Sequence, residues 1–268
     1  MIISVEGMEA SGKSTFMYTA PLPIVGFSLD MGHERAIYGM KFGEFFKGLK
    51  VEVVKYAPKQ PEYVSYKGND ITIYELPPPI QLDPKRIVGY MELWDYFLRI
   101  YVDALQDSDV STVVIDTMTL LTKNKRDAYL QELQAKNPGN PRKQLQQIEY
   151  GHPDGGIRSL YTFAKTAEKN LVAIHHLRDH YGPSLGADGQ VTTAPDGTME
   201  IDGLKDTPRF VDVRLLNEKK NGQISSTFVK CGYNLGLEGT TVNNLSWDML
   251  VNMIEMTWSG RPFDRRAK

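Results

Sequence analysis

The chain has 268 residues, of which 41% are hydrophobic and 24% charged, the composition of a globular protein and not of a disordered, collagen-like or coiled-coil one. With 31 basic and 33 acidic side chains the net charge is −2, which excludes a protein that binds nucleic acid through its overall charge. The single cysteine, Cys231, excludes an internal disulfide framework, and no apolar run is long enough to span a bilayer. We therefore expect a cytoplasmic protein with no membrane partner.

Strands and helices are predicted to alternate along the chain. Apolar, β-branched runs predict strands at 1–5, 24–29, 51–56, 71–75, 111–115, 171–174, 211–216 and 224–229. Apolar residues at helical spacing, bounded by breakers, predict helices at 13–19, 84–106, 117–135, 155–169 and 247–258. This alternation predicts an α/β fold with a largely parallel central sheet flanked by helices and antiparallel C-terminal strands.

We expect residues 1–268 to form a single domain. Three segments of it depart from the alternation of strands and helices. Two strand-like runs within about 45–80 predict a β-hairpin insertion that projects from the core. Residues 178–208 contain Gly, Pro, Asp and Thr without periodicity, which predicts a long functional or mobile loop. Residues 259–268 predict a basic C-terminal tail that either contacts DNA or only forms a soluble end.

One motif carries specific chemistry: Gly7, Met8, Glu9, Ala10, Ser11, Gly12, Lys13, Ser14 and Thr15 fit the pattern G-x4-G-K-[ST] in full. The glycines let backbone N–H groups surround phosphate oxygens, and the start of the following helix adds its positive end. Lys13 is expected to reach the β and γ phosphates and Ser14 to bind Mg²⁺. A strand before the motif and a helix after it are the context that it needs. The sequence therefore predicts a nucleoside triphosphate site.

A second acidic element follows about a hundred residues later, where Asp116 ends the apolar run Val113-Val114-Ile115. An acidic residue at the end of a buried strand can hold Mg²⁺ beside a phosphate loop. The same residue could instead cap the next helix. The long spacing, with no N-K-x-D segment and no Arg-rich lid, disfavours simple nucleotide kinases and GTPases.

These segments resemble the RecA-like P-loop ATPases of bacteriophages, a family that includes Sak-type single-strand annealing recombinases. The resemblance rests on residues 7–15, 21–36, 112–121, 171–178 and 212–222, and it covers roughly 1–36 and 108–232. It implies a RecA-like core that hydrolyses ATP with Mg²⁺, acts on single-stranded DNA and assembles into rings or filaments. A single-strand-binding protein as partner and, for a phage-encoded chain, the host cytoplasm as location follow from the same resemblance.

The resemblance also implies further catalytic residues beside Lys13. The family's water-orienting glutamate would fall at position 32, which is Gly32 here. Glu34 is therefore the candidate for that role. Alternatively, Glu34 is an ordinary glutamate in the first turn of a helix, where the helix dipole favours it. His176 matches the position of a γ-phosphate sensor. His176 could instead be an ordinary polar residue at the end of the strand, or a metal ligand. A metal ion shared with His175 is disfavoured, because successive strand residues point to opposite faces. Lys219 and Lys220 match a basic finger that acts in trans, and an ordinary hairpin turn explains them equally.

Basic residues cluster after the acidic strand and around the two loops that the resemblance places near DNA. Single-strand binding needs positive charge along the backbone and preferably stacking aromatics, which Tyr150 and Tyr181 could supply. A solvated surface of mixed charge explains the same residues. The candidate DNA contacts are Lys123, Lys125, Arg126, Arg142, Lys143 and Arg178.

The sequence favours an ATP- and Mg²⁺-dependent, DNA-associated ATPase of phage recombination or single-strand annealing. Two alternatives stay open. A P-loop small-molecule or nucleotide kinase would consume ATP only with a phosphate acceptor and would ignore DNA. A nucleotide-gated assembly or packaging ATPase would hydrolyse poorly, in agreement with Gly32 at the position of the expected glutamate.

Overall fold

A nine-stranded sheet forms the centre of the protein in the computed structural model, which describes residues 1–39, 46–57, 68–83, 85–185 and 191–256. Its strands are β1 (Ile2–Gly7), β2 (Ile24–Ser28), β3 (Val51–Lys55), β4 (Ile71–Glu75), β5 (Thr112–Asp116), β6 (Asn170–His175), β9 (Val213–Lys220), β10 (Gln223–Cys231) and β11 (Thr241–Asn243). The order is β11-β10-β9-β1-β6-β5-β2-β4-β3. All pairs from β9 to β3 are parallel, and β10 and β11 are antiparallel. The predicted α/β fold with a largely parallel sheet and antiparallel C-terminal strands is confirmed.

Helices cover both faces of this sheet. They are α1 (Lys13–Met17), α2 (His33–Tyr38), α3 (Tyr90–Gln106), α4 (Met118–Lys136), α5 (Gly151–Thr166) and α6 (Trp247–Glu255). Helices α3, α4 and α5 pack on one face, whereas α1, α2 and α6 contribute to the apolar cluster on the other. The central strands are mostly apolar because alternate side chains enter the two cores: Val113 and Ile115 lie in one and Val114 in the other.

The predicted hairpin within 45–80 is wrong for the part of that segment that the structure describes. Strands β3 and β4 pair in parallel, with Val51 opposite Ile71, at the edge of the main sheet. Ile71, Ile73 and Tyr74 are buried, which places β4 between β2 and β3. Parallel neighbours need a crossover connection, so these two strands do not form a hairpin.

The predicted long loop is wrong as well, because most of residues 178–208 form regular structure. Strands β7 (Leu177–Leu185) and β8 (Val191–Ile201) pair antiparallel in a two-stranded sheet of their own, named here the arm. Polar and glycine-rich strands lack the apolar alternation that identifies a strand in sequence, because the faces of the arm are largely exposed. The helix predicted from 84 starts instead at Tyr90, since Gly89 adopts φ +85° directly before it.

The predicted basic tail at 259–268 lies outside the described residues. None of the helices within the described ranges is both long enough and apolar enough to cross a membrane.

Candidate functional site: a nucleotide cavity at the carboxyl ends of the parallel strands

A cavity of about 580 Å³ opens where the carboxyl ends of β1, β2, β5 and β6 meet. Open α/β sheets bind their ligands at this edge. Named here the nucleotide cavity, it is lined by the phosphate loop from Glu9 to Thr15 together with Asp30, Gly32, Arg35, Ala36, Asp116, Leu120, His176 and Ile224. The structure thus brings the phosphate loop, Asp116 and His176 together, as their positions at strand ends predict.

The two glycines of the loop are required by close contacts with the C-terminal strands. A Cβ atom on Gly7 would lie 2.3 Å from the backbone oxygen of Asn217, and one on Gly12 would lie 2.6 Å from Cδ1 of Ile224. Gly12 also adopts φ +81° immediately before α1, a conformation that glycine reaches without strain. Backbone N–H groups at the start of α1 therefore border the cavity without intervening side chains.

Lys13 is held inside the curve of the phosphate loop. Its Nζ donates hydrogen bonds to the carbonyl oxygens of Gly7 at 2.9 Å and Met8 at 2.6 Å. Burial lowers the pKa of Lys13, and the carboxylates of Asp116, Asp30 and Glu9 oppose that shift. A buried cation close to these groups is placed to bind phosphate oxygens.

Asp116 is a buried carboxylate, and neither of its oxygens makes a hydrogen bond of regular geometry within the described chain. The residue that caps α4 is Thr117 and not Asp116, because the Thr117 side chain accepts a hydrogen bond from the Leu120 N–H at 3.2 Å. Burial, and then the charge of Asp30, raise the pKa of Asp116 to about 7, while the Ser14 hydroxyl opposes the shift. Such an unsatisfied buried carboxylate favours a cation as its partner.

Ser14 and Asp116 fit a magnesium site. Within the described ranges no group of three or more His, Cys, Asp or Glu residues could hold a metal ion. Mg²⁺ does not need such a cage, because it keeps several waters and is usually held by one or two carboxylates together with substrate phosphates. The donors present, a hydroxyl and a buried carboxylate beside the phosphate loop, are of the oxygen type that Mg²⁺ prefers.

The segment after β2 presents Asp30, and not Glu34, to the nucleotide cavity. Glu34 is exposed on α2 and does not line the cavity, whereas Asp30 and Arg35 do. The backbone N–H of Gly32 donates to Oδ1 of Asp30 at 2.9 Å and so orients this carboxylate. Sequence reasoning missed Asp30 as a site residue, although its place just beyond the end of β2 parallels that of Asp116 on β5.

The two adjacent histidines occupy different environments. His176 lines the nucleotide cavity, and burial together with Lys13 lowers its pKa. His175 is fully buried on the other side of the strand, with Nδ1 3.0 Å from the Ser4 hydroxyl and Nε2 3.3 Å from the Tyr161 hydroxyl. Their separation leaves no shared metal position for the pair, as strand alternation predicts.

Lys219 and Lys220 lie at the exposed end of β9 and do not line the nucleotide cavity. They border a separate cavity of about 410 Å³ on another side of the phosphate loop, beside Glu6 and Arg214. Lys220 pairs with Glu218 at 3.2 Å. Action on a neighbouring subunit's phosphate therefore stays a prediction for these two lysines.

Most of the candidate DNA contacts are engaged by other side chains. Three arginines pair with carboxylates: Arg126 with Asp154, Arg142 with Glu149, and Arg178 with Glu200 and Asp202. Lys125 lies over the Trp94 ring, 4.4 Å from its centroid, so it packs against α3. Of the six candidates, only Lys123 and Lys143 have neither an ion pair nor an aromatic partner within the described structure.

A third cavity, of about 490 Å³, adjoins the nucleotide cavity and is named here the side cavity. The two cavities share Leu120 and His176. Hydrogen bonds connect the wall between them: the His176 N–H donates to Oγ1 of Thr119 at 3.0 Å, and this hydroxyl donates to the carbonyl oxygen of Asp202 at 2.7 Å. Residues lining the side cavity therefore lie close to the nucleotide cavity.

No protein-family model and no curated protein sequence matches the chain. Among solved structures, the chain is similar to a RadB recombinase, with 13% identity, 90% of this chain and 85% of that chain covered, and a TM-score of 0.44. It is also similar to a KaiC-like protein from the hyperthermophilic archaeon Pyrococcus horikoshii OT3, with 12% identity, 90% and 83% coverage, and a TM-score of 0.43. Likeness at this level assigns no activity to the chain.

Proposed function

We propose that the protein is an ATP- and Mg²⁺-dependent P-loop ATPase that acts on single-stranded DNA in recombination or strand annealing. One observation carries the nucleotide part of the proposal. The complete phosphate-binding motif and a buried carboxylate that lacks regular hydrogen bonds converge on one cavity at the carboxyl edge of a parallel sheet.

The main residues of the nucleotide cavity then have defined roles. Backbone N–H groups of the phosphate loop and the Lys13 ammonium bind the phosphates and neutralise charge that develops during transfer. Ser14 and Asp116 would hold Mg²⁺, which would supply electrostatic stabilisation of the phosphate oxygens. Asp30 orients the attacking water in place of Glu34, because its carboxylate lines the cavity and is held by the Gly32 N–H.

The DNA part of the proposal is supported by the wall between the two cavities. His176 lies beside the bound phosphates and leads directly into the arm, and its backbone is hydrogen-bonded to Thr119 on α4. Lys123 lies one helical turn further along α4. A nucleotide that changes the position of His176 would therefore alter surfaces on both the arm and α4, provided that it interacts differently with the two arrangements.

The test is ATP turnover measured with and without single-stranded DNA. We expect Mg²⁺-dependent turnover that DNA accelerates, and oligonucleotide binding that a non-hydrolysable ATP analogue strengthens relative to ADP. Affinity should fall steeply as salt rises, since phosphate contacts release counterions. Turnover that ignores DNA, combined with no binding at low salt, would remove the DNA part and leave the ATPase assignment intact.

A kinase is the second candidate, because the side cavity adjoins the nucleotide cavity and offers space for a phosphate acceptor. In that case ATP consumption would require an added acceptor and would produce a phosphorylated product. Thin-layer separation of the products from radiolabelled ATP distinguishes phosphate release from phosphate transfer.

A further inference from the structure

The side cavity has the dimensions of a small-ligand site. Its volume of about 490 Å³ lies within the range of roughly 300–1,000 Å³ over which pockets hold small molecules. It is bounded by α4, by the segment that leads into α5, by Asp202 and Gly203 after the arm, and by Ile87 and His176. Segments that are distant in the sequence therefore meet around it.

The charges that line the side cavity leave a local excess of positive charge. Arg126 is neutralised by Asp154, at an N···O distance of 2.9 Å, and Asp202 faces Arg178 at 3.6 Å. Lys123 and Lys143 remain exposed, and neither forms an ion pair with another described residue.

Asp127 is the other carboxyl group that lines the side cavity. Burial raises its pKa, and Lys123 opposes the shift. Asp127 offsets one of the two lysines, so the lining of the cavity keeps a small excess of positive charge. The cavity is therefore suited to a singly or doubly charged anion such as a phosphate group.

Tyr150 adds an aromatic surface to the same cavity. Its side chain is 37% exposed, and the Arg126 guanidinium lies over the ring, 5.0 Å from the centroid. The pairing of Arg126 with Asp154 and with the Gly203 carbonyl oxygen fixes the guanidinium and hence this side of the ring. The exposed part of the ring offers a flat contact for a base.

We infer that the side cavity binds one nucleotide unit, with its phosphate between Lys123 and Lys143 and its base against Tyr150. The inference rests on the proposed function and deepens it by naming the DNA-binding site. Phosphate held by lysines and a base stacked on an aromatic ring are the two contacts that single-strand binding requires. The unit belongs either to a DNA strand or to a free mononucleotide, since both present the same groups.

The experiment measures anisotropy of labelled oligo(dT) with the full chain and a non-hydrolysable ATP analogue. The variants are Lys123→Ala/Lys143→Ala and Tyr150→Leu. A matched control, Lys50→Ala/Lys55→Ala, removes two exposed lysines beside and within β3, at the far edge of the sheet. DNA-independent ATP turnover of each variant verifies that the nucleotide cavity is intact.

We expect Lys123→Ala/Lys143→Ala to weaken oligo(dT) binding about tenfold or more and to reduce the salt slope by up to about two. Tyr150→Leu should weaken binding about five- to hundredfold, the range for loss of one stacked base. The control pair should bind like the unmodified protein. An equal loss in the control, or full binding by the cavity variants, would overturn the inference while DNA binding itself stands.

Thymidine monophosphate added as a competitor separates the two sources of the nucleotide unit. Weak competition, with no phosphorylated product, supports a strand in the cavity. Tight binding that the cavity variants lose, accompanied by conversion to the diphosphate, supports the same cavity with a free mononucleotide and removes the DNA function. If neither oligo(dT) nor the monophosphate binds at low salt, the inference is wrong.

Discussion

The ammonium of Lys13 donates a hydrogen bond to the carbonyl oxygen of Met8 at 2.6 Å, across the turn of the phosphate loop. A second hydrogen bond, to the carbonyl oxygen of Gly7 at 2.9 Å, holds the ammonium inside the curve of the loop. Burial lowers the pKa of Lys13, and the negative charge of a phosphate group in the cavity would favour its charged form.

Lys13→Ala should abolish ATP binding or turnover while the fold is kept. Among the described residues, the side chain bonds to loop carbonyl oxygens and belongs to neither apolar core, so its removal leaves both cores unchanged. Isothermal titration with ATP and a thermal melt of the same sample test both parts. Turnover equal to that of the unmodified protein in a folded variant would contradict the phosphate-loop assignment.

Asp116→Asn should keep measurable nucleotide affinity but lose the Mg²⁺-dependent step. The amide keeps the shape of the side chain and removes the charge that would hold the cation. Turnover is measured against Mg²⁺ concentration, and nucleotide binding is measured with and without the metal. Thr117 caps α4, so a loss of helix stability would not be expected. Equal hydrolysis would exclude the metal role.

Asp30→Asn and Glu34→Gln form a matched pair that separates the geometric and the sequence-based assignments. If Asp30 orients water, Asp30→Asn should retain ATP binding and lower turnover by roughly 10²-fold or more, as for a lost general base. Glu34→Gln should then turn over normally because Glu34 is exposed and outside the cavity. The reverse pattern of rates would restore the role to Glu34.

His175 should make stability depend on pH below neutrality. Burial lowers the pKa of His175 from its ordinary value of 6.5 to about 3, so the folded protein keeps this ring neutral. The unfolded chain takes up a proton as pH falls below about 6.5, and stability then declines by up to about 1.4 kcal/mol per pH unit from this group. Above that pH the group contributes no slope.

Urea unfolding at pH 7, 6 and 5 measures this effect. His175→Gln should reduce the dependence on pH even if the variant is less stable at pH 7, since it also alters hydrogen bonds to Ser4 and Tyr161. His152→Gln, at an exposed position on α5, serves as the control and should keep the original slope. An unchanged slope in His175→Gln would show that other groups cause the acid sensitivity.

The parts of the site that the sequence predicted are those determined by local chain geometry. A strand, a glycine-rich turn and a helix start fix the phosphate loop within nine residues, and Asp116 ends a run whose burial is evident from its composition. Sequence patterns do not indicate which of the two carboxylates, Asp30 or Glu34, lines the nucleotide cavity. That depends on how the turn at Gly32 directs α2, where a shift of a few residues moves a side chain from the cavity to solvent.

Long-range contacts explain the other differences. Lys125 has the same local context as Lys123, but only the packing of α3 against α4 shows that it lies over Trp94. The sequence predicts strands β3 and β4, but it does not predict that they pair in parallel. That pairing depends on the position of β4 between β2 and β3 in the sheet. Sequence patterns indicate whether a residue is buried and whether its segment is a helix or a strand. They do not indicate which other segment packs against it.

The arm leaves the body of the protein and returns to it at a single point. The N–H of Asp202 donates to the carbonyl oxygen of His176 at 2.9 Å, and Leu177 lies opposite Ile201 at the base of the arm. Because both ends are joined there, the arm can lengthen, shorten or change sequence without altering the register of the nine-stranded sheet.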